Sequence, residues 1–388
     1  MDSRFDRLPD RQGSDSIKWR RYDGEAVIPM WVADMDFAVA APIQEALNRR
    51  IAHPVYGYAS VPSSLKAAAQ DWLAERWGWS VPEAHLVALP AVVPGIHFLV
   101  RALGRLGCVG GLAYPSPVYP PIRQVAQNLG LNAYPFPFSP TRSVTLAQGN
   151  RGGWDLDQLA RACEQGADTL LLSHPHNPIG QRVDPQQREA LTELVAHYGM
   201  RVISDEIHGD LILDGLGHCP LAKDPRLAER TATLFSAGKS FNLAGLPFAF
   251  AVVPDPKWRQ ALKQSLRGQA PAHNVLAMVA TEAAWREGGA WLDGLLDYLA
   301  ANRERVSSQL AGLAGVRVHQ PDATYLAWID CRGTGSARPA EQLRRAGVGV
   351  SDGTEFGAPG FVRLNFGCPR ELLDEGLQRF RRAFEQRA

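Results

Sequence analysis

Three short stretches of this sequence place chemically useful side chains directly after an apolar run. "TLLLS" (169–173) leads into "HPHNPIG", which presents Asn177. "RVISD" (201–205) ends on Asp205, with Glu206 and His208 behind it, and "TLFS" (233–236) is followed by Ala237, Gly238 and Lys239. The three runs end about thirty residues apart, a spacing that suits one strand plus one crossover helix. Taken singly, each group has a plain reading: an Asn in a Pro turn is ordinarily turn chemistry, and a strand-end Asp ordinarily caps the next helix. The lysine is harder to dismiss, because Ser236, Ala237, Gly238 and Ser240 give it no apolar shield yet allow close backbone approach to a ligand. Ligands of open parallel sheets bind beyond the carboxyl ends of the strands, so an amide, a carboxylate and an amine are expected to converge there.

The cofactor these three groups suit is pyridoxal 5'-phosphate. A lysine amine forms a Schiff base with its aldehyde. A carboxylate pairs with the pyridinium nitrogen and keeps it protonated, which deepens the electron sink. An amide hydrogen-bonds the ring's 3-hydroxyl. The phosphate needs N–H donors near a helix start. "AVVPGIHFLVRAL" (91–103) offers a turn, a Pro suited to the first helical position and a helical run, so Val93, Gly95 and Ile96 are expected to form the cradle. Ser236 is expected to add its hydroxyl.

The elements that must hold these residues read as a doubly wound α/β body. From about residue 85 to 255, short apolar runs alternate with helical patterns such as "PQQREALTELVAHYG" (185–199), the rhythm of a mainly parallel sheet. The remaining candidate strands in that part are "LVAL" (86–89), "VGGLAY" (109–114) and "FAFAVV" (248–253). Beyond it come long helical patterns over 274–313 and short strands near "TYLAWID" (324–330) and "FVRLNFG" (361–367), the outline of a second α+β domain. The expected division is a large domain over 46–285 and a small one built from 1–45 together with 286–388.

"SHPHNPIG", "SDEIHGDL", "SAGKSFNLAG" and "VRLNFGCPRE" resemble four blocks of the fold-type I pyridoxal-phosphate enzymes of the class I/II aminotransferase superfamily. "IPMWVADMDFAVAAPIQEAL" and "HPVYGYAS" are similar to its cystathionine β-lyase or cysteine-S-conjugate C–S lyase branch. The resemblance implies the fold-type I architecture, a mainly parallel sheet between helices with a smaller α+β domain. It also implies Lys239 as the Schiff-base lysine, Asp205 on the pyridine nitrogen, and Asn177 on the 3-oxygen with His208 beside it. Tyr119 would stack on the ring, and Arg363 would take the substrate α-carboxylate through a bidentate pair, with Trp31 and Tyr119 also on the substrate side. Tyr58 would reach the phosphate of the partner subunit, making a homodimer with shared active sites. Two departures stand out: Pro247 occupies a position where many aminotransferases carry an arginine, and Ser173 and His174 stand where the branch often shows Cys and Asn.

Lys239, Asp205 and Asn177 serve elimination and transamination alike, so the residues reach only a pyridoxal-phosphate enzyme acting on amino acids. The "WVADMDF" block and Pro247 favour the lyase by resemblance; an aminotransferase is the alternative, and a non-catalytic regulatory protein on the same fold a remote one. The 388 residues, 45% of them hydrophobic and 21% charged, carry a net charge of +1, which argues against a nucleic-acid partner. Cysteines 108, 163, 219, 331 and 368 form no CxxC pair, so neither metal nor disulfide framework is indicated, and no apolar run approaches membrane-spanning length. With a charged N-terminus, these features lead to the expectation of a cytoplasmic protein. The glycines of "GRLGCVGG" (104–111) lack GxGxxG spacing and carry no dinucleotide signal.

Overall fold

A computed structural model describes residues 3–11, 13–139 and 153–385. Its strands are β1 (Ile28–Pro29), β2 (Leu86–Leu89), β3 (Gly111–Ser116), β4 (Asn132–Ser139), β5 (Gly153–Trp154), β6 (Thr169–Ser173) and β7 (Arg201–Asp205). They continue with β8 (Thr231–Phe235), β9 (Ala249–Val252), β10 (Arg317–His319), β11 (Leu326–Asp330), β12 (Val348–Gly349), β13 (Ser351–Asp352) and β14 (Phe361–Asn365). Eight of them form one sheet in the order β2-β9-β8-β7-β6-β3-β4-β5. The contiguous block β8-β7-β6-β3-β4 is parallel, whereas β9 runs antiparallel to both its neighbours and β5 antiparallel to β4. The mainly parallel sheet read from the sequence is therefore present, with β9, one strand in from one edge, and β5, at the other edge, running against the rest.

The central strands are buried along their whole length, β6 and β8 at every position, as a sheet covered on both faces requires. Register aligns Ser173 with Asp205 and Asp205 with Leu234, so the carboxyl ends of β6, β7 and β8 finish in one row. The chain runs from β3 outward to β4, then returns to the other side of β3 as β6, so the strand order reverses between β3 and β6. Crevices at such reversal points are where open α/β sheets bind ligands.

Strand β4 is the element the sequence hid. It reads "NAYPFPFS", and its two prolines argue against a strand because each lacks a ladder N–H. The register resolves this: β4 pairs with β3 from Asn132 to Pro137, but with β5 only at Phe138 and Ser139. Pro135 and Pro137 thus sit where the far side of β4 has no partner strand.

A second sheet, β10-β11-β14-β13, is antiparallel throughout, and the two-residue β1 pairs in parallel with β12. The N-terminal segment is thereby tied to the C-terminal part. All five cysteines are free. Among the described residues no helix is long and apolar enough to cross a membrane.

Candidate active site

A cavity of about 290 Å³ lies at the carboxyl ends of the parallel strands, and Tyr119, Asn177, Asp205, His208, Lys239 and Arg363 all line it. Tyr119 follows β3 and Asn177 follows β6, the two strands flanking the reversal point. The Tyr119 N–H donates to the Asn177 carbonyl at 3.0 Å, closing the crevice from both sides.

Lys239 stands on a one-turn helix (Ala237–Ser240) capped by Ser236, whose Oγ accepts from the Gly238 N–H at 3.0 Å. The same hydroxyl donates to the Phe248 carbonyl at 2.6 Å, so Ser236 lines the cavity with its proton already engaged. The lysine Nζ donates to the Ala33 carbonyl at 2.6 Å. Burial, reinforced by the Arg363 charge, lowers its pKa to about 8. Asp205 is 5% exposed, and burial raises its carboxyl to about 7 despite the N–H of Ile207 at 3.1 Å and the nearby Lys239. A carboxylate this costly to ionise alone is one that awaits a cationic partner.

Arg363 is 5% exposed. Its Nη1 donates to Asn177 Oδ1 at 2.9 Å and its Nη2 to the Trp31 carbonyl at 2.9 Å, while its guanidinium carbon lies 4.7 Å from the Phe356 ring centroid. Its Nε is buried with no partner, and burial lowers its pKa to about 10. Because Asn177 Oδ1 is taken by Arg363, the Asn177 amide nitrogen is left for a ligand. His208 is held neutral, its pKa pushed down to about 3 by burial and then by the charges of Lys239 and Arg363, and its Nδ1 also lacks a partner. Burial raises the Tyr119 hydroxyl, which keeps it protonated.

The helix expected to cradle an anion spans Val92–Arg105, with Ala91 in extended conformation at its N-cap. Ala91, Val92 and Val93 line the cavity, but Gly95 and Ile96 do not. The reason is the position of Pro94, which is the third helical residue rather than the first. Gly95 already donates its N–H to the Ala91 carbonyl at 3.0 Å, and Ile96 is buried in the core. The free first-turn donors are therefore the N–H groups of Val92 and Val93. Gly95 has a packing role instead: a Cβ there would lie 2.5 Å from Leu89 Cδ1, so glycine lets the helix sit against β2.

Trp31 is a second correction. Its indole Nε1 donates to the Lys18 carbonyl at 3.1 Å and its ring stacks under Arg21, so it does not line the cavity. What the segment contributes is backbone. The Trp31 carbonyl accepts from Arg363 and from Ser351 Oγ, the Val32 carbonyl from Asn365, and the Ala33 carbonyl from Lys239 and Tyr325. Asn242 fixes the next stretch by donating to the Met35 and Phe37 carbonyls. Val32 and Ala33 thus form a wall of the site that no side-chain chemistry advertised. Ser173, Pro247 and Phe248 also line it. Tyr58 is fully exposed and takes no part in the cavity of its own chain.

Residues 47–380 match the pattern of the aminotransferase class I and II family. The cystathionine beta-lyase PatB of Bacillus subtilis (strain 168) is 33% identical over 98% of this chain and 99% of its own length. Among solved structures, that of OvoB superimposes with a TM-score of 0.91 at 38% identity, covering 98% of both chains. The PLP-bound C–S lyase from Staphylococcus hominis superimposes with a TM-score of 0.88 at 27% identity, covering 99% of this chain and 98% of that one.

Proposed function

The chain belongs to the aminotransferase class I and II family, and from that premise we propose that it is a pyridoxal 5'-phosphate-dependent carbon–sulfur β-lyase. Its reaction takes L-cystathionine or a related cysteine S-conjugate, with one water, to a thiol, pyruvate and ammonia. One observation carries the reading: Lys239, Asp205, Asn177 and Arg363 line a single cavity at the strand-order reversal. The lyase branch is supported by the similarity to PatB and to the Staphylococcus hominis enzyme, and by an apolar Pro247 on the cavity wall.

The residues present fit the cofactor. The first-turn N–H groups of Val92 and Val93 suit its phosphate, Asn177 Nδ2 its 3-oxygen, Asp205 its ring nitrogen and Lys239 its aldehyde. Tyr119 and His208 line the same cavity and would flank the ring. When bound, pyridoxal phosphate supplies an aldehyde that links to amines and a protonated ring that draws the electron pair from Cα.

The chain's residues do the rest. Arg363, on the cavity wall, takes the substrate carboxylate and so orients the Cα–H bond toward Lys239. The Lys239 amine, with its pKa near 8, gives up and regains a proton close to neutral pH and so serves as the base at Cα. Asp205 holds a proton at the ring nitrogen, the ion pair offsetting the cost of its buried charge. Val32, Ala33 and Phe248 exclude water from this exchange. The thiolate then leaves Cβ, helped by a thiol pKa near 8.5 that makes it a modest base.

Tyr58 completes the phosphate site of a second copy in a homodimer; its full exposure on its own chain supports this. Residues 46–285 form the cofactor-binding domain and 1–45 with 286–388 the small one, a division supported by the eight-stranded sheet lying within 86–252 while the four-stranded sheet and the β1–β12 pair lie outside 46–285. A reducing, cytoplasmic setting is supported by the five free thiols. The test of the activity is incubation of the holoenzyme with L-cystathionine and no keto acid. Catalytic release of pyruvate and thiol is expected; turnover only when a keto acid is added would make the protein an aminotransferase instead.

A further inference from the structure

Behind the cofactor-facing carboxylate lies a cluster that the mechanism does not use. His174 follows β6 and donates its N–H to the Asp205 carbonyl at 2.9 Å; Glu206 follows Asp205 itself; His218 comes from the loop after β7. The three residues are 3%, 0% and 6% exposed, and one ligand atom from each lies within 4.8 Å of the others. We infer that His174, Glu206 and His218 form a binding site for one divalent transition-metal ion of the zinc class.

The two oxygens of Glu206 are differently placed. Oε1 accepts from Ser204 Oγ at 2.8 Å and from the Leu221 N–H at 3.3 Å, which fixes the carboxylate plane. Oε2 is aimed inward, 2.6 Å from His218 Nε2. Outer hydrogen bonds that lock a carboxylate and present its other oxygen are how metal ligands are pre-oriented. A simple Glu206–His218 hydrogen bond would account for those two residues but not for the third. The His174 ring sits 5.0 Å from the His218 ring, with Nδ1 buried and without any partner. A buried ring nitrogen left without a partner beside a carboxylate–imidazole pair is free to serve as a ligand in the tautomer that leaves it unprotonated. Burial keeps His174 neutral, the form that ligates.

Nearby cations are otherwise engaged: Arg182 pairs with Asp214 at 2.6 Å, and Arg188 donates to the Cys219 thiol. Neither guanidinium is therefore spent on Glu206. Two imidazoles and one carboxylate suit Zn²⁺, Co²⁺, Ni²⁺ or Fe²⁺, whereas Mg²⁺ and Ca²⁺ prefer all-oxygen shells. The ion would brace the ends of β6 and β7, the strands that carry Asn177 and Asp205.

The experiment uses chelator-stripped holoenzyme titrated with Co²⁺ alone, read by visible absorption, and with Zn²⁺ alone, read by calorimetry and elemental analysis. One equivalent per chain is expected. His174→Asn leaves the buried Glu206–His218 pair intact and should weaken Zn²⁺ binding by about 100-fold, and Ser204→Ala by about tenfold. No saturable uptake of either ion by the parent protein overturns the site. So does undiminished uptake by His174→Asn, which would place the ion on exposed groups such as His53 or Cys108. These readouts are independent of turnover, so the metal site and the lyase reading stand or fall separately.

Discussion

Lys239 is the residue whose energetics are most exposed to experiment. Burial brings its pKa from the usual 10.5 to about 8, while the unfolded chain keeps the usual value. Below pH 8 both states hold the proton and the folded state bears the full cost of a buried charge. Between about 8 and 10.5 only the unfolded state is protonated, so the stability of the cofactor-free protein rises with pH across that window. Lys239→Met, which keeps the bulk and removes the charge, should therefore be more stable than the cofactor-free parent at pH 7. The gap is on the order of 1–3 kcal/mol after discounting for solvent in the cavity, and it should close by the top of the window. Thermal melts of the two cofactor-free proteins across that range check this; a gap that does not change with pH would show that the charge is not its source. The same variant should lose lyase turnover entirely, so the side chain that lowers stability is the one function requires.

At the scale of elements, the start of helix Val92–Arg105 and the wall formed by residues 31–34 decide how the cavity is lined. The helix was legible from "AVVPGIHFLVRAL", but its first residue was not, and a shift of two positions kept Val93 and put Val92 in the place of Gly95 and Ile96. Val92→Pro tests this directly. A proline is tolerated at the first helical position, and Ala91 before it is already extended, so the substitution deletes one N–H while keeping an apolar side chain where Val92 packs into the core. Cofactor affinity should fall about tenfold, the size of one charge-assisted hydrogen bond, in a titration followed by absorbance. Unchanged affinity would remove this helix from the phosphate site. The hidden strand β4 teaches a related point: Pro135 and Pro137 forbid a ladder only where a neighbour needs their N–H, and which side has a neighbour is a property of the sheet.

At the scale of the whole molecule, the proposed dimer makes a prediction that no single chain can. Tyr58→Ala and Lys239→Ala are each expected to be inactive or nearly so as pure proteins. Unfolded together and refolded at equal amounts, half of the dimers should pair one of each. Each such dimer holds one intact site, so activity should return to about a quarter of the parent level. A mixture as inactive as its components would mean that Tyr58 does not act across the interface. The assembly and the fold also explain why the N-terminal segment matters: β1 joins β12, and residues 31–33 close the site with their carbonyls, so this stretch links the small sheet to Lys239.

Residue type and spacing alone determined that Lys239, Asp205 and Asn177 share one site, because apolar runs ending about thirty residues apart leave little choice but successive parallel strands. Arg363, Tyr119 and His208 were legible through resemblance, and all reach the same cavity. What only the tertiary structure decided was everything carried by backbone or by contacts distant in sequence. Trp31 was expected on the substrate side, yet its carbonyl is what meets Arg363, and a carbonyl is the same in every residue. The cluster of His174, Glu206 and His218 could not be seen either, since residues spread over forty-odd positions become neighbours only when β6, β7 and the following loop pack together.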